Sequence, residues 1–229
     1  MKRLLGKFAI VTGGSSGIGA ACAAALAEQG AAVIATGRRY SRGPAPAAAL
    51  GTVVHAHLDV TDEGEVAARF DEPPELDIVV CSAGVGTFGP IINASLHDLR
   101  LMLDVHIAGT FTCAREALRR MQPRRRGHII VICSHVAHRA FTDCGGYTAA
   151  KAGQLGLVRV LAEEARPFDI RVTALLPGAT DTPIWDDRPG FDRTKMMAPA
   201  DVASFLVAIV ARPSISVEEV TLTPPAGAL

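Results

Sequence analysis

A glycine-rich segment near the N-terminus, residues 12–19, constrains the fold most, because an apolar run precedes it and an alanine-rich helical pattern follows it. Glycines let a backbone approach a phosphate closely, and a helix N-terminus offers free N–H groups and the positive end of the helix dipole. The spacing, Gly-x3-Gly-x-Gly after a threonine, differs from the common GxGxxG fingerprint. The segment therefore predicts a phosphate-binding strand–turn–helix, with a purely structural glycine turn as the alternative. The residues expected at the phosphate are Gly13, Ser15, Ser16, Gly17, Ile18 and Gly19.

Short apolar runs alternate with longer helical patterns along the rest of the chain, which is typical of βαβ units. The expected strands are residues 8–12, 32–36, 52–57, 78–81, 128–133, 170–175 and, more weakly, 217–221. The expected helices are residues 18–29, 61–70, 95–122, 147–166 and 199–211. Several strands are unbroken apolar runs, as a parallel sheet buried on both faces requires. The pattern predicts an α/β fold, a Rossmann-type doubly wound parallel sheet of about seven strands with helices on both faces.

No internal repeat or linker interrupts this alternation, so residues 1–229 are expected to form a single domain. Two segments that contain prolines, residues 38–51 and 180–198, are expected to be loops. The second of them is expected to form a short lid over a substrate site.

Acidic and basic side chains balance at 23 each, which leaves no long-range field to gather nucleic acid or an anionic membrane. The arginines at 119–120 and 124–126 are interpreted as solvated cations at the end of the longest helix. No stretch of about 18 uninterrupted apolar residues is present. Neither nucleic acid nor a membrane is therefore expected as a partner.

The cysteines and histidines predict neither a disulfide framework nor a metal site. Five cysteines without a CxxC pair lie mostly within apolar runs, as reduced thiols do, so a cytoplasmic location is expected. The histidine pairs at 55 and 57 and at 135 and 138 have no third ligand at a suitable spacing.

Two arginines, Arg38 and Arg39, follow the second expected strand directly after Gly37. In a dinucleotide-binding fold, an acid near this position holds the ribose 2′-hydroxyl of NAD, whereas an arginine suits the 2′-phosphate of NADP. This chain has no acid there. NADP(H) is therefore the expected cofactor, and a solvated basic pair on a loop is the alternative.

Tyr147, one of only two tyrosines, stands four residues before Lys151 at the start of a helical pattern, so the two side chains share a face. The chain resembles the short-chain dehydrogenase/reductase family at Thr12 to Gly19, Asp59, Ala83-Gly84, Ser134, Tyr147, Lys151 and Pro177-Gly178. These motifs span nearly the whole chain in the family's order. The resemblance implies an oxidoreductase that transfers hydride between a nicotinamide and a small carbonyl or secondary alcohol. The alternative is a dinucleotide-binding redox sensor or interaction module with little turnover.

Reduction of a ketone by hydride develops an alkoxide, which needs a proton donor and a hydrogen-bonding partner. The resemblance assigns the acid/base role to Tyr147, the hydrogen bond to the substrate oxygen to Ser134, and the nicotinamide ribose to Lys151. A phenol pKa of about 10 is too high for ready proton exchange at neutral pH. An ammonium about 5–6 Å away, at an effective dielectric near 20, predicts a Tyr147 pKa of about 8.

The same resemblance implies further cofactor contacts at Asp59, Val60, Ser82, Ala83, Gly84, Tyr147, Lys151, Pro177, Gly178, Thr180 and Thr182. The resemblance places Asp59 at the adenine amino group. It places the Thr180 backbone and the Thr182 hydroxyl at the nicotinamide carboxamide. The family's paired asparagines after the fourth strand are replaced by Cys81 and Ser82, and Cys81 is expected to contribute packing instead of a hydrogen bond.

The family's fourth catalytic residue, an asparagine in the long helix, is replaced here by His106. The asparagine acts through its main-chain carbonyl, which holds a water beside the lysine in a proton relay. Two interpretations of His106 are open. The histidine keeps that carbonyl and itself titrates, or the imidazole merely fills the site.

Five side chains are expected to wall a substrate pocket, with a packing role for the tryptophan as the alternative: Phe88, His135, Phe141, Cys144 and Trp185. A homodimer or homotetramer through the helices at 95–122 and 147–166 is expected on the resemblance alone.

Overall fold

Seven short, mostly apolar runs form the sheet in the computed structural model, which describes residues 2–188 and 190–227. The strands are β1 (Phe8–Thr12), β2 (Ala32–Thr36), β3 (Val53–Ala56), β4 (Ile78–Cys81), β5 (Gly127–Ile132), β6 (Ile170–Pro177) and β7 (Glu219–Leu222). All neighbours are parallel, in the order β3-β2-β1-β4-β5-β6-β7. β2 and β4 are buried along their whole length, as central strands covered on both faces require.

Six α-helices within the described residues cover the two faces of the sheet. They are α1 (Gly17–Glu28), α2 (Glu63–Asp71), α3 (Leu96–Leu103), α4 (Gly109–Met121), α5 (Gly145–Ala165) and α6 (Pro199–Val210). Short 3-10 turns lie at Ile91–Asn93, Gln122–Arg124, His135–Ala137, Arg166–Phe168, Pro183–Trp185 and Arg193–Lys195. α1 and α6 enclose one apolar core that contains Leu26 and Leu206. α2, α4 and α5 enclose the other, which contains Phe70 and Val158.

This architecture confirms the predicted doubly wound parallel sheet with helices on both faces. Every expected strand is present, with ends that differ by no more than two residues. Unbroken apolar runs predicted the strands well because each strand is buried between two layers of helices.

The expectation of one unbroken helix over residues 95–122 is wrong, because a π-helical turn at Asp104–Ala108 separates α3 from α4. The N–H of Gly109 donates to the carbonyl of Asp104, five residues back instead of four. The turn carries His106, which is only 1% exposed. Apolar periodicity does not report a single turn of different winding, so the sequence pattern predicted a uniform helix.

The arginines near the end of α4 are not all solvated, which corrects a second expectation. Arg124 donates to a carboxylate oxygen of Asp77 at 3.0 Å. Arg120 donates to the carbonyl of Pro73 at 2.7 Å. These contacts tie α4 to the loop that leads into β4, and Asp77 is buried. The acidic partners lie more than forty positions away along the chain, so the local sequence could not reveal them.

The direction of chain winding reverses at β1 and β4, which are neighbours in the sheet. In such folds a crevice opens at the carboxyl ends of the strands on either side of this point, and ligands bind there. Thr12 ends β1 opposite Cys81 at the end of β4. The Thr12 hydroxyl accepts hydrogen bonds from the N–H groups of Ser82 at 3.1 Å and Ala83 at 3.3 Å. These bonds fasten the two strand ends together at the floor of the crevice.

Candidate active site

A cavity of about 1030 Å³ opens along the carboxyl edge of the sheet. Its lining includes all the residues expected to bind the cofactor or to act in catalysis: Gly13, Ser15, Ser16, Gly17, Ile18, Gly19, Arg38, Arg39, Asp59, Val60, Ser82, Ala83, Gly84, His106, Ser134, Tyr147, Lys151, Pro177, Gly178, Thr180 and Thr182. The structure therefore brings together side chains that the sequence spreads over some 170 positions.

The glycine turn fits a nucleotide diphosphate because its backbone has no room for side chains. A Cβ on Gly13 would lie 2.6 Å from the carbonyl oxygen of Ser82, and Gly13 has a φ of +66°. Gly17, with a φ of +55°, begins α1 beside Thr182. The first turn of α1 contains no acidic residue, and the Ser16 hydroxyl makes no capping bond. The helix N-terminus is thus open to an anion, with its positive dipole end toward the cavity.

Tyr40, to which the sequence assigned no chemistry, braces this turn. Its hydroxyl donates to the carbonyl of Gly14 at 3.2 Å. Its ring stacks on His55 at a centroid distance of 4.7 Å. Tyr40 is therefore a structural support for the glycine turn.

Arg38 and Arg39 differ in their contacts at the end of β2. Arg39 donates to the carbonyl and to the hydroxyl of Ser15, each at 3.1 Å. Arg38 is exposed at the cavity edge, and its charge acts on Asp59. Partial burial pushes the pKa of Asp59 upward, but hydrogen bonds from Thr61 and the charge of Arg38 hold it below its ordinary value. At the edge of the cavity, Asp59 is therefore held in its ionised form, and the Arg38 guanidinium is available to a phosphate.

Ser134 and Tyr147 face one another across the opposite end of the cavity. Ser134 follows β5, and its Oγ accepts the N–H of Val136 at 3.3 Å, which fixes the hydroxyl at the start of a 3-10 turn. Tyr147 lies in the first turn of α5. Enclosure by the cavity walls raises the pKa of Tyr147 to about 12, although the Ser134 hydroxyl acts in the opposite direction. The expected pKa of about 8 is therefore wrong.

Lys151 lies close to Tyr147 but does not account for the pKa of the phenol. Its Nζ lies 5.8 Å from the centroid of the Tyr147 ring. Burial lowers the pKa of Lys151 itself to about 8. The ammonium donates to the carbonyl of Ile132 at 2.9 Å and to Oε1 of Gln154 at 3.0 Å. Loss of hydration is the largest cause of both pKa shifts, and chain spacing does not reveal it.

Gln154 and Thr110 are buried members of the site that the sequence argument missed. The Gln154 amide donates to the Thr110 hydroxyl at 2.7 Å while its oxygen accepts from Lys151. Both residues are buried, so the two bonds form a closed polar chain between α5 and α4. Gln154 could have been predicted from its spacing, since it follows Lys151 by three residues and therefore lies on the same helix face.

His106 lies against Tyr147, with ring centroids 5.6 Å apart in an edge-on arrangement. Its Nε2 lies 2.7 Å from the carbonyl of Val85, to which it donates. Its Nδ1 is buried and, among the described residues, meets no partner. Burial, followed by the charge of Lys151, lowers the pKa of His106 to about 3. A neutral imidazole at neutral pH favours the interpretation that the ring fills the site over the one in which it titrates.

The five expected wall residues all line the same cavity. Trp185 also serves in packing, since its ring lies 4.8 Å from that of Phe191 and its Nε1 donates to the carbonyl of Thr180 at 2.9 Å. The Thr180 hydroxyl donates to the carbonyl of Gly178. Each Thr180 oxygen therefore makes one hydrogen bond within the lid segment, which holds the backbone expected at the carboxamide in place.

Cys81 takes the packing role expected of it. It is 4% exposed and belongs to the apolar core beneath α2, α4 and α5. The Cys81 thiol, together with burial, raises the pKa of Cys113 well above its ordinary value. Cys81 thus meets the buried thiol of Cys113 where the family has an asparagine.

The described residues form no cluster of three or more histidine, cysteine, aspartate or glutamate side chains suited to a metal ion. In residues 2–188 and 190–227, no helix has the length and apolarity needed to cross a membrane.

Comparison with known proteins identifies the family of the chain. The family model described as short chain dehydrogenase matches residues 7–190. The chain is 37% identical over 205 residues to cis-4-hydroxycyclohexanecarboxylate dehydrogenase of Sinomonas cyclohexanicum, covering 84% of this chain and 80% of that one. It is 36% identical over 203 residues to (+)-borneol dehydrogenase 1 of Salvia officinalis, covering 86% and 77%. A solved alcohol dehydrogenase from the archaeon Thermococcus sibiricus, complexed with 5-hydroxy-NADP, has a TM-score of 0.84 at 26% identity, covering 97% and 98%.

The chain belongs to the short-chain dehydrogenase family. It is an oxidoreductase of that family, whose members bind a nicotinamide dinucleotide. The resemblance carried by the glycine turn and by Ser134, Tyr147 and Lys151 is confirmed at this level.

Proposed function

We propose that the chain is an NADP(H)-dependent reductase of carbonyl compounds, which also catalyses the reverse oxidation of secondary alcohols. One observation carries the proposal: Ser134, Tyr147 and Lys151 line the same cavity as the glycine turn and Arg38. The nicotinamide, when bound, supplies or accepts the hydride. The residues of this chain supply the proton and hold the substrate oxygen.

Tyr147 is the proton donor. With a pKa of about 12 in the enclosed site, its phenol is protonated at neutral pH and carries a proton for the alkoxide, a much stronger base, that forms as a carbonyl is reduced. Ser134 donates a second hydrogen bond to the same oxygen. Lys151 has three N–H protons, two of which bind Ile132 and Gln154, so the third is left for a ribose hydroxyl.

The preference for NADP(H) rests on Arg38. Its guanidinium stands at the end of β2, where the ribose of the adenosine half is bound in this fold, and no acid precedes it there. Arg39 is committed to Ser15, so Arg38 is the group left for a 2′-phosphate. The Thermococcus sibiricus relative, complexed with 5-hydroxy-NADP, supports the same choice.

Cyclic ketones are the proposed substrate class. Two relatives are described as dehydrogenases of borneol and of a hydroxycyclohexanecarboxylate, which are ring-bearing secondary alcohols. The aromatic rings of Phe88, Phe141 and Trp185 line the cavity and offer flat apolar walls to such a ring.

The test is NADPH oxidation against a panel of cyclic and open-chain ketones. Turnover of a cyclic ketone is expected, with slower turnover of open-chain compounds. Tight NADPH binding without turnover across the panel would contradict the proposal and favour the redox sensor or interaction module.

Self-association through α4 and α5 is also proposed. Phe111 on α4 is 48% exposed and Val160 on α5 is 55% exposed. Exposed Gly156, where a Cβ would meet nothing within 4 Å, leaves room on α5 for a second helix to approach closely. Sedimentation equilibrium is expected to give two or four times the 23.9 kDa chain mass, and a monomer at working concentration would contradict this.

A cytoplasmic location is the remaining proposal. All five cysteines are free and buried, as suits a reducing compartment. Cell fractionation should place the chain with cytoplasmic markers, and recovery in an oxidising compartment would contradict it.

A further inference from the structure

A lid arginine, Arg188, lies over three aromatic rings at the substrate end of the cavity. Its Cζ is 3.9 Å from the ring centroid of Phe88, 4.8 Å from that of Phe191 and 4.9 Å from that of Trp185. These cation–π contacts hold the guanidinium among the three rings, and aromatic rings do not act as hydrogen-bond acceptors of the strength that its N–H donors would find in a carboxylate. The residue is half-buried and lines the same cavity as Tyr147.

The edge of this guanidinium has no acceptor within the part of the chain that the structure describes. The other lid arginine, Arg193, pairs with the carboxylates of Asp181 and Asp186. Asp187 lines the cavity beside Arg188 but forms no ion pair with it. One lid arginine therefore braces the lid, while the other presents a fixed and partly dehydrated cation to the cavity. A guanidinium in this state favours an anionic ligand.

Phe88 sets the separation between this cation and the proposed proton donor. Its ring centroid lies 5.3 Å from that of Tyr147 and 3.9 Å from Cζ of Arg188. Arg188 and Tyr147 therefore both lie beside Phe88 at the same end of the cavity, close enough for the two ends of one small ring compound to reach them. Its apolar body would lie among the aromatic side chains that line this end of the cavity.

We propose that Arg188 binds a carboxylate of the substrate, so that the enzyme acts on cyclic oxo acids and hydroxy acids with the carboxylate across the ring from the reacting carbon. The proposal rests on the proposed function. The planar fork of one arginine matches a carboxylate through two parallel hydrogen bonds. A phosphate dianion calls for a second cation, but Arg38 and Arg39 lie by the glycine turn and Lys151 is bound to Gln154.

The first test measures binding without turnover. The protein saturated with NADP⁺ is titrated calorimetrically with cyclohexanecarboxylate and with its neutral counterpart, cyclohexanecarboxamide. The parent is expected to bind the acid about 10- to 100-fold more tightly than the amide, the gain typical of hydrogen bonds to a charged group. Arg188→Met, which keeps the apolar stem, is expected to remove that preference. Arg188→Lys should retain part of it, and Lys195→Met should retain it fully, because Lys195 is an exposed lid cation that, within the described residues, pairs only with nearby Asp192 and does not line the cavity.

The second test measures turnover of 4-oxocyclohexanecarboxylate and 4-oxocyclohexanecarboxamide with NADPH. The ratio of kcat/KM for acid over amide is expected to fall about 10- to 100-fold in Arg188→Met and to stay at the parent value in Lys195→Met. Equal binding of acid and amide by the parent would overturn the inference, as would a preference that survives in Arg188→Met. A carboxylate preference that disappears in Arg188→Met, with no ketone reduced at all, would uphold the anion site and contradict the proposed function.

Discussion

The Nζ atom of Lys151 lies 3.0 Å from Oε1 of Gln154, and both side chains are buried. The Gln154 amide also donates to Thr110, so a residue of α4 helps to fix the position of a charge on α5. A buried ammonium depends strongly on each acceptor that it keeps, because it has little water to replace one. The position and charge of Lys151 therefore depend on Gln154.

Replacement of Gln154 by leucine is expected to lower the pKa of Lys151 below about 8 and to reduce kcat about tenfold, since the ammonium loses an acceptor. The charged lysine is the active form, so the basic limb of the kcat/KM pH profile should move to lower pH. Thr110→Val removes only the outer hydrogen bond and should cause a smaller shift in the same direction. A drop in activity with an unshifted profile would show that Gln154 acts only in packing.

Replacement of Arg38 by aspartate is expected to erase or reverse the preference for NADPH over NADH, because a carboxylate repels the 2′-phosphate and accepts from a 2′-hydroxyl. The measurement is the ratio of kcat/KM for the two cofactors, expected to change about 100-fold. Arg42→Asp is the control, since Arg42 lies on the same loop, pairs with Glu65 and does not line the main cavity. Equal use of both cofactors by the parent would contradict the role of Arg38.

The buried histidines His106 and His128 should make stability fall in mild acid. Burial lowers both pKa values from 6.5 to about 3, so the unfolded chain takes up protons first. The stability due to the neutral rings is complete above pH 6.5 and is lost as pH falls toward 3. When the pH is lowered from 7 to 5, each histidine should reduce the free energy of unfolding by about 2 kcal/mol.

Urea denaturation of the parent and of His128→Asn at both pH values tests this. The variant should lose about 2 kcal/mol less than the parent between pH 7 and pH 5. The same pH dependence in both proteins would show that His128 is not held neutral by burial.

Gly84 and His106 should be energetically coupled. A Cβ at position 84 would lie 2.8 Å from Cε1 of His106, so Gly84→Ala is expected to destabilise the fold by about 1–3 kcal/mol. Asparagine at position 106 has no Cε1, so Gly84→Ala should destabilise the fold less when it is combined with His106→Asn. Urea denaturation of the parent, the two single variants and the double variant gives the coupling free energy, expected near 1 kcal/mol. Additive costs would show that the imidazole does not fill the space above Gly84.

The sequence predicted the architecture because its signals were local. Strands buried on both faces must be apolar along their length, and the glycine turn needs residues without side chains, so both features appear as contiguous patterns. Tyr147 and Lys151 were found because four residues on one helix bring two side chains to one face.

The remaining features depend on three-dimensional surroundings. The pKa of Tyr147 depends mainly on enclosure by walls from several loops. The π-helical turn around His106 does not change the spacing of apolar residues, so the sequence pattern does not predict it. Arg188 and Arg193 look alike in the sequence of the lid, and only their partners distinguish the arginine that braces the lid from the one that faces the cavity.

The most direct test of the central claim compares the parent with Tyr147→Phe in NADPH oxidation driven by a cyclic ketone. Calorimetry on both proteins confirms that NADPH still binds. The account predicts that kcat falls about 100- to 10,000-fold in the variant, because the alkoxide loses its proton donor while the cofactor site persists. Turnover equal to that of the parent, with the same affinity for NADPH, would contradict the assignment of Tyr147 as the proton donor.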